Sequence, residues 1–265
     1  MRVQRLMIRG MTLTCVAVLF QQVLLAQATY TLDRKDAVVI GVAGAGALLP
    51  LLSDVSKTCT CSISGLNRLD RDTAIRRTES LNAASYVVAA AAVGLPLTLS
   101  RLQSKSWKDP VVIGEALLVN TAVNQIVKYN VQRPRPLLYG LSPTDPKIAE
   151  TDNHLSFYSQ HTSVVFAAGM SYARTFALRH PDSKYRWAIY SAAGVTGATV
   201  GWMRVQSRRH FPTDVITGAA AGSAIGFAVP WLHPKQKQFE TALSTLHVSA
   251  TPSGALISFQ LPIDR

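Results

Sequence analysis

Six stretches of this chain, each 17 to 21 residues long, carry almost no charge, and they limit the possible folds more than any other feature. Ala37–Ser53, Ser80–Ser100, Asn153–Ala173, Trp187–Met203 and Val215–Leu232 contain no Lys, Arg, Asp or Glu, and Val111–Val127 contains only Glu115. None alternates apolar and polar residues as a strand does, and runs of this length favour helices. Gly218, Gly222 and Gly226 recur every four residues and so share one helix face, and Gly194 and Gly201 do something similar in the preceding run. Small residues at that spacing let two helices approach closely. The expected fold is therefore all-α, a helical bundle of about six helices. After Pro234 the character changes. Leu246–Val248 and Ala255–Leu261 flank Thr251-Pro252-Ser253-Gly254, which predicts a short β-hairpin-like tail.

A chain of 265 residues is long enough for one well-buried core. Several of its runs sit at the lower end of the roughly 17–25 residues that cross a bilayer. Lys and Arg occur in every connecting loop, so their distribution assigns no orientation. The first 28 residues read as an export signal. Arg2, Arg5 and Arg9 precede the apolar stretch Met11 to Leu25, and Ala26-Gln27-Ala28 is an A-x-A cleavage pattern. The same region, uncharged from Gly10 to Leu32, is also long enough to stay as an anchor helix. Four segments follow: a signal or anchor over 1–28, an N-terminal helix and loop over 29–79, a core over 80–233 and a tail over 234–265.

Removing residues 1–28 takes the formal charge from +12 to +9, a balance that attracts anions. Nucleic acid is not indicated, because there is neither an RNP-like aromatic pattern nor a Cys/His zinc spacing. Cys59 and Cys61 can oxidise to a pair in an exported protein, or remain two loop thiols. His154, His180, His233 and His247 have no partners at a telling spacing and read as loop or solvent-side residues.

Three short motifs carry the chemistry. In the first, Lys128 ends an apolar helix and Arg133-Pro134-Arg135-Pro136 follows in an extended form, because proline cannot continue a helix. Arg offers a planar fork for two phosphate oxygens, and Lys offers a point charge. A basic loop that binds lipid head groups is the plainer reading of this motif alone. In the second, Ser159-Gln160-His161 precedes an apolar run, which puts backbone N–H groups and a positive dipole end beside any anion. A simple helix cap is the alternative there. In the third, Arg204 precedes His210 by six positions, and Pro212 suits the first helical turn. Asp214 lies four residues after His210, where its carboxylate can orient the imidazole or merely cap the helix.

Taken together, the Lys128…Arg135-Pro136, Ser159-Gln160-His161 and Arg204…His210…Asp214 pattern resembles the type 2 phosphatidic acid phosphatase (PAP2) and haloperoxidase superfamily. The resemblance covers roughly residues 80–232. The chain departs from the family pattern at Tyr158 (usually Pro), Gln160 (usually Gly) and Met203 (usually Ser). Arg133 stands outside the family spacing; only Arg135 matches it. The resemblance implies a phosphatase that needs no metal or other cofactor and acts on a lipid or polyprenyl phosphate. His210 would be the nucleophile, His161 the general acid and Asp214 the group orienting His210. Lys128, Arg135, Ser159, the Gln160 N–H and Arg204 would bind phosphate. A soluble periplasmic acid phosphatase and a non-catalytic anion- or lipid-binding membrane protein remain as alternatives. Membrane members of the family keep the first motif outside the cell. A mature N-terminus outside the membrane, followed by three spans, would put Lys128 inside.

Overall fold

The computed structural model describes residues 29–48, 52–59, 61–75, 81–233, 246–251 and 254–259. The proposed signal at 1–28 and most of the tail's approach, 234–245, lie outside them. Seven α-helices are present among the described residues. They are α1 (Arg34–Leu48), α2 (Arg68–Ile75), α3 (Asn82–Ser104), α4 (Lys108–Val131), α5 (Gln160–Arg179), α6 (Arg186–Gln206) and α7 (Pro212–Leu232). Six of these are long, in keeping with the six uncharged runs. In the tail, β1 (Leu246–Thr251) and β2 (Gly254–Phe259) pair antiparallel, with Val248 opposite Ile257.

The bundle is organised around α5, which packs against α3, α4, α6 and α7, while α1 lies along α4. The four-residue glycine spacing on α7 explains the closest of these contacts. A methyl group at Gly218, Gly222 or Gly226 would collide with the carbonyl oxygens of Ser159, Ser163 and Ala167 on α5. Hydrogen side chains alone allow the two backbones to touch there. Buried polar residues also link the helices. Asn120 on α4 donates to the Ser163 hydroxyl at 3.1 Å, and Asn124 donates to the Tyr158 carbonyl at 2.9 Å.

Successive long helices run in opposite directions, so the molecule has two ends. Lys128, Gln160, Arg204 and Pro212 lie at the ends of α4, α5, α6 and α7 that meet at one of them, here called the near end. Thr29 lies at the far end, where it bonds Asp109 at the start of α4 and Arg179 at the end of α5. The outer faces are apolar, with Val38, Val42, Val87, Leu95, Leu102, Val195, Ile216 and Phe227 all exposed. Trp107, Trp187 and Trp231 ring the far end and Trp202 the near one, the distribution of aromatics at bilayer interfaces. Three helical segments, Asn82–Ser104, Lys108–Leu138 and Pro212–Leu232, are long and apolar enough to cross a membrane. The exposed apolar faces fit a membrane protein.

Two expectations for isolated histidines are corrected. His154 is buried and donates Nε2–H to the Ile148 carbonyl at 2.8 Å. His233, at the end of α7, is enclosed between Asp36 and Glu115. Cys59 and Cys61 form a disulfide in the connection between α1 and α2.

Candidate active site

Four helix ends and two loops build the near-end site. Lys128 sits in the last turn of α4, which stops at Gln132 in a left-handed conformation (φ 46°, ψ 48°) whose N–H caps the Lys128 carbonyl. The chain then runs extended through Arg135, whose backbone N–H is held by Asn153 O at 2.8 Å. Lys128 and Arg135 are both buried, at 6% and 4% exposure. Arg204, in the last turn of α6, is wholly buried. Its guanidinium donates from Nη1 to Asn82 Oδ1 and Ser85 Oγ, both at 2.9 Å, and stacks over Tyr86 at 5.3 Å. Asn82, Ser85 and Tyr86 stand at i, i+3 and i+4 on one face of the start of α3, and together they aim the guanidinium. The Nε atoms of Arg135 and Arg204 have no hydrogen-bond partner.

Ser159 caps α5 with extended backbone and Gln160 opens the helix, so Gln160 keeps its N–H facing outward from the helix start without needing a positive φ. His161, one residue further, stands edge-on to Tyr86 with ring centroids 4.5 Å apart. The Ser159 hydroxyl is within 3.0 Å of Thr162 Oγ1.

His210 is 1% exposed, in the loop between α6 and α7. Its Nδ1 lies 2.8 Å from the Ser156 carbonyl oxygen. A carbonyl can only accept, so Nδ1 carries the proton and Nε2 keeps its lone pair. Burial, followed by the charges of Arg135, Arg204 and Lys128, holds the His210 imidazole well below its ordinary range and therefore neutral.

Asp214 does not reach His210 directly. Its Oδ2 is 3.8 Å from Nδ1 and instead accepts from Ser156 Oγ at 2.6 Å and from Phe211 N–H at 2.9 Å. Any orienting effect on the imidazole therefore passes through Ser156. Arg133, the arginine outside the motif spacing, bonds Asp214 Oδ1 at 2.6 Å, Asp70 Oδ2 at 2.8 Å and Thr213 Oγ1 at 2.8 Å. It also lies 4.1 Å over the Phe211 ring. These partners occupy it, whereas Arg135 pairs only at Nη2, with the exposed carboxylate of Asp152 at 2.7 Å. Arg133 stood inside the first motif but was set aside in favour of Arg135. Ser156, Asp70, Asn82, Ser85 and Tyr86 were not singled out from sequence, because each is tens of residues from what it holds.

A family model described as the PAP2 superfamily matches residues 109–238, so this segment is similar to that superfamily. The lipid A 1-phosphatase of Porphyromonas gingivalis is 32% identical over 134 residues. That alignment covers 49% of this chain and 25% of the relative, so the chain matches about a quarter of the relative's length. Among solved structures, a transmembrane PAP2 type phosphatidylglycerolphosphate phosphatase from Bacillus subtilis superposes with a TM-score of 0.47 at 20% identity. The superposition covers 79% of this chain and 97% of that one.

Proposed function

We propose that this protein is a membrane phosphatase that hydrolyses a phosphate monoester or diphosphate of a lipid or polyprenyl substrate through a phosphohistidine intermediate. The observation that carries this reading is the 2.8 Å contact between His210 Nδ1 and the Ser156 carbonyl oxygen. A carbonyl only accepts, so the neutral ring leaves Nε2 bare, and the charges of the buried Arg135, Arg204 and Lys128 act on it. A neutral nucleophile beside unbalanced positive charge suits attack on a phosphate dianion.

In this mechanism Lys128, Arg135, Arg204 and the Gln160 N–H hold the non-bridging oxygens, with the Ser159 hydroxyl a further donor. His210 Nε2 forms a bond to phosphorus as the bond to the leaving oxygen breaks. His161 in its protonated form gives its proton to that oxygen. Neutral His161 then takes a proton from water, which attacks phosphorus, releases phosphate and restores His210. Three side-chain cations supply the charge that stabilises the transition state, so no metal is assigned to this step.

The exposed apolar flanks favour a lipid substrate over the small monoesters of a soluble enzyme. The P. gingivalis relative's name makes a lipid A-type phosphomonoester the first to test. A phosphate-release panel run with chelator present would compare lipid A, phosphatidate, phosphatidylglycerol phosphate, undecaprenyl diphosphate and an aryl phosphate. Release from at least one lipid, at a higher kcat/KM than from the aryl ester, is expected. Activity on the aryl ester alone would favour the soluble-type reading, and inactivity on all five the binding protein.

We further propose that the near end faces the periplasm from the inner membrane. The Cys59–Cys61 disulfide precedes α2, whose Asp70 is part of the near-end site, and disulfides persist in oxidising compartments. With all six long helices crossing, Thr29 then lies on the cytoplasmic side. An export signal cleaved after Ala28 would put Thr29 outside instead, and the two expectations exclude each other in a fully crossing bundle. Impermeant maleimide labelling in a chain otherwise free of cysteine decides between them. Label at Ser142→Cys but not at Asp182→Cys supports the outward site, and the reverse overturns it.

A further inference from the structure

The far end holds a second cluster that the phosphatase reading does not use. Asp36, in the first turn of α1, Glu115, in the second turn of α4, and His233, just after α7, converge there. His233 Nε2 lies 3.1 Å from Asp36 Oδ1 and 3.2 Å from Glu115 Oε2. The three ligand atoms all lie within 4.8 Å of one another. The other imidazole nitrogen, Nδ1, is 2.7 Å from the Val229 carbonyl, which can only accept. Nδ1 therefore carries a proton, and the neutral ring directs a bare Nε2 lone pair at two carboxylates.

A proton on Nε2 would be the ordinary remedy, but the geometry does not favour it. Neither Nε2 nor Glu115 Oε2 makes a hydrogen bond, although Glu115 is only 4% exposed. Both contacts are at ion-pair distance, yet neither meets hydrogen-bond geometry. Ligand atoms around a tetrahedral zinc, at about 2.0–2.1 Å from it, stand about 3.3 Å apart, close to both separations seen here. A histidine whose other nitrogen donates to a backbone carbonyl is also the usual orientation of a metal-bound imidazole. Two carboxylates and a neutral imidazole balance a divalent cation, whereas an imidazolium would leave one net negative charge in a largely buried site. Asp36 is the most exposed of the three, at 15%, and gives an entry path.

We propose that Asp36, Glu115 and His233 bind one divalent cation of the zinc class, with solvent as a fourth ligand, and that the ion ties α1 to α4 and to the end of α7. The site is structural and lies at the opposite end of the bundle from His210, so it takes no part in phosphate chemistry. Mixed imidazole and carboxylate ligands suit zinc better than magnesium or calcium.

The test uses the full-length protein in detergent, stripped with chelator and then titrated with Zn²⁺ and, as a spectroscopic probe, Co²⁺. One equivalent should bind per chain, Co²⁺ should show the intense visible absorption of a tetrahedral site, and Zn²⁺ should raise Tm. Glu115→Gln, which preserves volume, should weaken binding by about 10–100-fold. His233→Ala should abolish it, and His210→Ala should leave it unchanged. Failure of wild type to take up stoichiometric metal would overturn the proposal, leaving the cluster an imidazolium between two carboxylates. So would uptake that Glu115→Gln and His233→Ala do not alter. Should His233→Ala not fold, wild-type uptake and Glu115→Gln still decide the matter.

Discussion

The two ends of the bundle use the same residue types in opposite ways. At the far end Arg179 pairs with Asp109, which also takes two hydrogen bonds from Thr29, and His233 lies between two carboxylates. The Arg179 charge there has the buried Asp109 carboxylate against it. At the near end Lys128, Arg135 and Arg204 are all buried, yet among the described residues the one carboxylate paired with them is the exposed Asp152. Burying like charges together is costly, and a chain that retains such an arrangement holds binding energy for an anion. The far end therefore stabilises the fold, and the near end gives up stability for a site.

That contrast can be broken by substitution. The largest effect is expected at the near end, where His210→Ala should lower kcat by about 10⁴-fold with little change in Tm. A comparable loss of Tm would mean the residue is structural. At the far end the effect should invert. Asp109→Ala leaves Arg179 unpaired in a partly buried site and should cost about 3–5 kcal/mol of stability, while kcat of the surviving folded fraction stays near wild type. Thermal denaturation beside single-turnover kinetics separates the two outcomes.

A smaller effect concerns pH. Because burial and the three cations depress the pKa of His210, its Nε2 stays unprotonated in mild acid. An ordinary imidazole would be only about 3% neutral at pH 5. The expected acid limb of kcat/KM thus lies well below pH 6.5, and activity half-lost near 6.5 would contradict the assignment. The smallest effect is at Asp152, which competes with phosphate for Arg135. Asp152→Asn should lower KM by about two- to threefold and leave kcat unchanged, consistent with the small energies of exposed pairs.

The helices and the cationic residues were legible from sequence because both signals are local. Uncharged runs mark helices, glycines at 218, 222 and 226 mark a face, and Lys128, Arg135, His161, Arg204, His210 and Asp214 lie in short motifs. What escaped depends on contacts across the fold. Arg133 differs from Arg135 by two positions, yet it binds Asp70, 63 residues earlier, and Asp214, 81 residues later. Arg204 is aimed by Asn82, 122 residues away, and no spacing rule connects them. Asp214 was expected to orient His210 from four residues on, across the helix start. Its carboxylate lies 3.8 Å from Nδ1, and the shorter bond of each goes to Ser156, 54 and 58 residues away. His233 looked isolated because its partners, Asp36 and Glu115, are each more than a hundred residues distant.

The central claim is that His210 Nε2 becomes covalently bonded to phosphorus. Rapid quenching of turnover with a ³²P-labelled lipid phosphate, followed by alkaline gel analysis and peptide mapping, tests it directly. Label stable to alkali, labile to acid, confined to the peptide containing His210 and absent from His210→Ala is the expected result. Turnover in wild type with no trapped label, together with retained hydrolysis by His210→Ala, would contradict it.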